Sequence, residues 1–447
     1  MKIFQVRGGV HPKAHKEQTK DKPFVTVLPK DEVIIPLSQH TGRPAKPVVK
    51  RNDQVFAGQL IAEADGFISA NIISSCSGKV KAIEPRMTDA GTMADCIVIV
   101  SDGEFKTAPG VGEETPLDTL TPSEIIEKIK RGGVVGMGGA GFPTHVKMMP
   151  PKPEEIKYII ANGAECEPYI TCDHRLMLEK PEEIIGGLLC CLKIFPGAKG
   201  VVVIEDNKPD AIGAMKAAAE PYPNIEVEAL KTCYPQGGER NIVYSVTGQY
   251  IASGALPASC GCVVDNVGTL AAIYRAVVWN EPLMERGFTV TGAVANPGNF
   301  MVRIGTPLSE VVEAAGGLND DAQKLLFGGP MMGVALPGID VPIKKANNAL
   351  TVLSDDEVAR AEAKQENCIR CGRCTRACPM GLIPQQMAVA CERKDLDRFI
   401  QLHGVDCMLC GSCTYVCPAK RPLTPMFKQM KPVAMGYMRA KQAKGGK

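Results

Sequence analysis

The feature that most constrains this chain is a cysteine run that occurs twice near its C-terminal end. The first copy is Cys368-Ile-Arg-Cys371-Gly-Arg-Cys374-Thr-Arg-Ala-Cys378-Pro379, and the second is Cys407-Met-Leu-Cys410-Gly-Ser-Cys413-Thr-Tyr-Val-Cys417-Pro418. Each has the C-x2-C-x2-C-x3-C-P spacing of a 4Fe-4S site. Three thiolates from one tight loop reach three corners of a cube, and Gly372 and Gly411 let the backbone bend close to the sulfides. A zinc site is the competing reading, but zinc takes four ligands, usually from one or two Cys-x2-Cys pairs, and two complete copies exceed that. In paired sites the fourth cysteine crosses over. The expectation is that Cys368, Cys371, Cys374 and Cys417 hold one cluster and that Cys407, Cys410, Cys413 and Cys378 hold the other. A chain with two adjacent clusters moves single electrons, which leaves open where they enter and leave.

The remaining composition narrows the class. The chain has 447 residues and 45% hydrophobic content, enough for several packed cores and too much for a disordered protein. Its 51 basic and 49 acidic residues give a net charge of +2, too balanced for a protein whose partner is a nucleic acid backbone. The 18 cysteines are too unevenly placed for a disulfide framework. No apolar run reaches the roughly 18 residues of a membrane span; residues 184–194, among the most apolar, are broken by glycine and lysine. Residues 1–26 are polar and lack the apolar segment of a secretory signal, so the chain reads as cytoplasmic.

Along the chain the pattern is multidomain α/β plus β. After an N-terminal arm, residues 1–30, short alternating runs punctuated by Gly, Asn, Asp and Pro predict a β domain over 31–105. This stretch resembles the barrel-sandwich hybrid of lipoyl and biotinyl domains. It has no lysine at the hairpin tip, which favours a scaffold role. Residues 107–121 read as a linker. An α/β domain is expected over 120–285: Thr121-Pro-Ser-Glu opens a helix that Arg131-Gly-Gly ends, and buried strands at 158–161 and 200–204 flank a helical stretch at 181–192. That alternation predicts a parallel sheet. Residues 286–346, with a strand, an Asn296-Pro-Gly turn, a return strand and a helix stopped by Gly316-Gly317, resemble the soluble-ligand-binding β-grasp module, SLBB. Residues 355–431 read as a helical two-cluster ferredoxin domain, with helices over 384–394 and 396–402, followed by a basic tail, 432–447.

Six glycines fall within residues 132–141 of Arg131-Gly-Gly-Val-Val-Gly-Met-Gly-Gly-Ala-Gly-Phe-Pro-Thr-His-Val-Lys147. Such a loop lets backbone N–H groups approach an anionic or flat ligand. It is neither a dinucleotide fingerprint nor a P-loop. Next comes Asn162-Gly-Ala-Glu165-Cys-Glu167-Pro168, an amide and two carboxylates on a turn after a buried strand. With Gly237-Gly238-Glu239 and Val264-Asp-Asn266-Val-Gly-Thr269, these segments resemble, in order, the flavoprotein subunit of respiratory complex I. The resemblance implies non-covalent FMN held by Gly138, Gly139, Gly141, Lys147 near the phosphate, Asn162, Glu165, Gly238, Glu239 and Asn266. It implies NADH stacked on the flavin, with Glu165, Glu167 and Phe142 at the reacting face. Two departures weaken the nicotinamide carry-over: the family's loop arginine is Met137 here, and the second glutamate after its Gly-Glu pair is Arg240.

The whole arrangement, from Gly8-Gly-Val-His-Pro12 and Ile35-Pro-Leu-Ser-Gln-His40-Thr-Gly42 through the cysteine runs, resembles the C subunit of the Rnf complex. That resemblance implies a ferredoxin:NAD oxidoreductase subunit coupled to ion movement by its partners. It implies integral-membrane and ferredoxin-like subunits as those partners, and a peripheral place on the cytoplasmic side of the cell membrane. A flavin iron-sulfur cobalamin reductase shares the layout, and a non-catalytic iron-sulfur adaptor with a vestigial flavin loop is the reading from a different class.

Other conspicuous residues have blander expectations. Cys190-Cys191, Cys260 with Cys262, and Cys391 read as buried thiols; Cys166 and Cys172 read as lining near the carboxylates. His145 is expected either at ligand phosphate or on the surface. The segment 418–447 holds eight Lys or Arg and no acid, so it is either a solvated tail or a docking surface for an acidic partner or anionic lipid.

Overall fold

The structure is a computed structural model that describes residues 1–89 and 91–445, with side chains for all of these except Glu362 and 442–445. Lys444 and Lys447 of the basic segment therefore lie outside the described side chains.

Lys199–Glu205 shows why the central sheet forms where it does. Its Val-Val-Val-Ile run is buried on both faces, which only an interior strand allows. It pairs in parallel with Ile225–Leu230 on one side and Tyr158–Gly163 on the other, and Cys262–Asn266 closes the four-stranded order. Ile159, Ala161, Val202 and Ile204 face a core shared with the helices Pro122–Arg131, Pro181–Ile194 and Val267–Val278. Ile160, Val201, Val203 and Val264 face the helix Glu239–Thr247. The first of these helices starts with a full capping box, Thr121 with Glu124, which contributes about 1 kcal/mol. Cys190, Cys191 and Cys262 are buried in these layers, and the Cys262 thiol donates to the Cys260 carbonyl at 3.4 Å, while Cys260 itself, expected to be buried, is only half-buried.

The N-terminal β unit is two small sheets face to face. One has the order Glu32–Pro36, Met93–Ser101, Gly78–Met87, Gln54–Val55; the other has Lys46–Pro47, Leu60–Glu63, Ile72–Ile73. Its interior is Val33, Ile35, Val55, Ile61, Ile72, Val80, Ile97 and Ile99.

The β-grasp unit reaches beyond residues 286–346 at both ends. Its six-stranded sheet begins with Phe24–Val27, from the segment read as an arm, which pairs in parallel with Gly298–Arg303. Ala349–Leu353 lies inside the sheet between Glu285–Gly292 and Lys324–Phe327. Local pattern misses both because each strand is completed by partners far away in sequence. The last unit is helical, and the predicted tail is not separate from it: one helix runs Leu423–Gly445 with Phe427, Met430 and Ala434 in the core of the cysteine domain. Among the described residues, no helix is long and apolar enough to cross a membrane.

Candidate functional site

The helical unit gathers its sulfurs in two groups. Cys368, Cys371, Cys374 and Cys417 line one cavity. Cys378, Cys407, Cys410 and Cys413 line another. Gly372 (φ 72°) and Gly411 (φ 81°) both take the left-handed conformation that turns each loop round its cavity. One sulfur in each group has a polar neighbour on the opposite helix: Cys374 donates to Gln385 Oε1 at 3.4 Å, and Cys413 lies 3.6 Å from Thr424 Oγ1. Burial pushes the Cys407 thiol up to about 11 and the Cys413 thiol up to about 12. Stable thiolates there require a strongly positive ligand, and iron supplies it, so two tetrathiolate sets fit two 4Fe-4S clusters. Cys391, expected as a buried thiol, is only half-buried at the edge of this core.

The second site lies at the C-terminal edge of the parallel sheet, where open α/β sheets place ligands. Asn162 and Asn266 are register partners on adjacent strands and end side by side there. Asn266 Oδ1 accepts from Gly268 N at 2.8 Å, capping Val267–Val278, while its amide donates to Asp173 at 2.7 Å. Asn162 donates to Gly237 O at 2.9 Å, which brings the Gly237-Gly238-Glu239 turn to the same edge. The glycine loop is pinched by a bridge between Val135 and Pro143, and it is anchored where Met137 N donates to Thr269 Oγ1 at 2.9 Å. Gly138 lies so close to Asn266 that a Cβ would come within 2.9 Å of its amide; at Gly139 a Cβ would meet nothing within 4 Å. The loop is thus clamped at its back and open at its tip, with bare backbone on the open side. The β unit supplies the clamp, with Thr41 N and Oγ1 donating to Gly141 O and Ala140 O at 3.0 and 2.7 Å. Phe142 is half-buried beside this loop.

The carboxylates are held from within. Glu165 Oε1 accepts from Asp173 N at 2.8 Å, and Oε2 lies 3.5 Å from the Lys16 ammonium. Burial pushes Glu165 up to about 7, partly offset by Lys16, and it pulls Lys16 below its ordinary value. Lys208 reaches Glu165 O at 3.4 Å and pairs with Glu205 at 3.0 Å. Glu167 accepts from Met331 N at 2.6 Å and Met332 N at 3.0 Å, which ties the flavin-type turn to the β-grasp unit. Lys147 is not a free cation at the loop tip: it donates to Val264 O at 2.7 Å and pairs with buried Asp265 at 3.0 Å. Arg240 donates to Ile251 O at 2.7 Å, serving a neighbouring turn. His145 is buried, not on the surface, and burial pushes it down to about 4. Cys172 is buried and Cys166 half-buried, accepting from Gly237 N at 3.3 Å.

Three residues that pattern reading missed join the parts. Lys16 reaches the carboxylate turn from the arm, 149 residues away. Tyr234 donates to Cys410 O at 2.7 Å, linking the sheet edge to the second cysteine loop. Lys345, which burial pulls down to about 7, donates to Asn71 O and Gly133 O at 2.6 and 2.7 Å and fastens the β unit to the α/β unit. A lone lysine carries no sequence signal for such reach.

Known families match every unit. Residues 4–104 match the RnfC barrel sandwich hybrid domain and residues 129–275 the Nuo51 FMN-binding domain. Residues 288–335 match the SLBB domain and residues 367–420 the 4Fe-4S dicluster domain. The chain is 43% identical to the C subunit of the proton-translocating ferredoxin:NAD(+) oxidoreductase complex of Clostridium ljungdahlii, over 87% of this chain and 85% of that one. It is 41% identical to the C subunit of the Na(+)-translocating ferredoxin:NAD(+) oxidoreductase complex of Acetobacterium woodii, over 93% and 94%. It is 40% identical to the C subunit of the ion-translocating oxidoreductase complex of Rhodobacter capsulatus, over 89% and 77%. Relatives this similar, matching 87–93% of this chain, show that the chain belongs to the family of C subunits of ion-translocating ferredoxin:NAD(+) oxidoreductase complexes.

Proposed function

We propose that this chain passes electrons between NAD(H) and a ferredoxin-linked partner through FMN and two 4Fe-4S clusters, as a peripheral subunit on the cytoplasmic side of a membrane complex whose other subunits move ions. The observation that carries this reading is the adjacency of the two sites. Tyr234 bonds the second cysteine loop at 2.7 Å, and Met408 of that loop packs on Gly238 at the sheet edge. In this arrangement Gly138, Gly139, Gly141, Asn162, Gly238, Glu239 and Asn266 form the FMN cradle. The N-terminus of Val267–Val278 faces the same edge, an electropositive end suited to the flavin phosphate. Lys147 contributes to it through a charge already shared with Asp265. FMN supplies conversion between two-electron hydride transfer and one-electron steps.

The chain's own residues then have distinct tasks. Glu165, Glu167 and Phe142 border the nicotinamide side. Glu165 is positioned by Lys16 and Asp173, and Glu167 by the two β-grasp amides. The Cys378/Cys407/Cys410/Cys413 set lies next to the sheet edge, and the Cys368/Cys371/Cys374/Cys417 set lies outward of it. Anaerobically purified protein should contain one non-covalent flavin and iron for two clusters per chain, with NADH bleaching the flavin absorbance. Iron without flavin would favour the non-catalytic adaptor; flavin that NADH does not reduce would remove the nicotinamide part.

A further inference from the structure

The two cysteine runs have the same spacing, but only the first carries arginines. Arg370, Arg373 and Arg376 stand where the second run has Leu409, Ser412 and Tyr415, so cysteine ligation does not require them. All three are exposed, and among the described residues none takes part in a salt bridge. Arg370 lines the cavity with Ile369, and the Arg376 guanidinium lies beside Gly372 of the same loop; Cys368 and Cys371 are exposed, and Ile369 between them is 63% exposed. Lys420, whose N–H donates to Cys417 O at 3.1 Å, is also exposed. The acidic residues nearby are exposed too: Glu366, whose N–H donates to Ala419 O at 3.0 Å, and Glu392. Arg421 differs, being buried and paired with Glu392. The basic helix is a weaker candidate, because Lys431 donates inward to Cys407 O at 2.7 Å and Lys441 lies 3.7 Å from Asp397.

Unpaired arginines around an exposed apolar side chain are the composition of an interface centre, and a predominantly basic rim steers an oppositely charged partner. We propose that the rim formed by Ile369, Arg370, Arg373, Arg376 and Lys420 is the docking face for an acidic ferredoxin-like protein or domain. The inference rests on the electron-transfer reading above and adds the surface and charge of the partner. Each encounter moves one electron: the reduced ferredoxin loses it, this chain gains it, and no bond or proton changes place.

The test uses the full chain, loaded with iron and flavin, and a reduced acidic two-cluster ferredoxin in stopped flow at several salt concentrations. The wild type should react faster at low salt. The variant carrying Arg370→Gln, Arg373→Gln and Arg376→Gln should lose about tenfold or more in its second-order rate at low salt. Its salt dependence should flatten while its iron content stays unchanged. A second variant with lysine at the three positions keeps the charge and should retain most of the rate. Glutamine and wild-type proteins with equal rates and equal salt slopes would overturn the docking face alone. A wild type that takes no electrons from ferredoxin overturns the function reading as well. Vesicles of three parts phosphatidylcholine to one part phosphatidylserine provide the other arm. If the glutamine variant loses vesicle binding but keeps its ferredoxin rate, the rim is a lipid-facing surface and the proposal fails.

Discussion

Gly372 and Gly411 hold the same place in their two runs and nearly the same φ, yet their surroundings differ. A methyl group at Gly372 would meet only the Arg376 guanidinium at 3.5 Å, whereas at Gly411 it would meet the Met331 carbonyl oxygen at 2.8 Å. The same contrast runs through the loops: Cys368 and Cys371 are exposed, while Cys410 and Cys413 are buried. The second loop is enclosed by three parts of the chain, through Met331 of the β-grasp unit, Tyr234 at the sheet edge and Val10 of the N-terminal segment. Identical spacing gives each loop the same four-sulfur chemistry, and the surroundings give the two loops different access to solvent.

The largest effects should come from the fourth cysteines, because each belongs by chain to one run and by position to the other cavity. Cys378→Ala should alter the same EPR signal that Cys407→Ala alters, and Cys417→Ala should alter the one that Cys371→Ala alters. The pairing by cavity breaks if Cys378→Ala instead reproduces Cys371→Ala. Thermal unfolding should also separate the two, with the variant at the enclosed cavity losing more, since Cys378 and Cys407 are packed against its core.

A middle-sized effect is expected at the glycines. Gly411→Ala combines left-handed strain with a contact against backbone and should cost about 2–4 kcal/mol. Gly372→Ala carries the strain alone, about 1 kcal/mol. Melting temperatures of the iron-loaded variants check the order, and equal shifts would mean that the enclosure is loose. The smallest pair is Tyr234→Phe and Ile369→Ser. The first removes a buried hydrogen bond to the enclosed loop and should cost about 1 kcal/mol; the second changes an exposed side chain and should stay within about 0.5 kcal/mol. A larger cost at Ile369 would show that the open rim is packed in the isolated chain.

These contrasts also separate what the sequence could reveal from what it could not. The parallel sheet was legible because Val201 to Ile204 form an unbroken apolar run and the helices beside it carry caps and stops. The four units were legible because each has local punctuation or a motif. Enclosure of one cysteine loop was not, since it depends on residues as distant as Val10 and Met331 and leaves no periodic trace. Glu167 shows the same limit at the flavin-type turn. Its motif carries the expectation of a reacting-face residue, but its bonds to two backbone amides of another unit appear only in three dimensions.

The strand Phe24–Val27 pairs with Gly298–Arg303, and nearby Lys22 donates to Pro297 O across a separation of 275 residues. During synthesis the beginning of the chain must therefore wait for its partner. At ribosomal speeds the delay is on the order of tens of seconds. Through that interval an unpaired strand and the buried-to-be Lys16 stay outside any finished unit, while the β unit behind them can already close. Assembly of the carboxylate turn is thus a late event, and a protein begun at residue 31 would retain all eight cluster cysteines yet lack the first sheet strand and the cation beside Glu165.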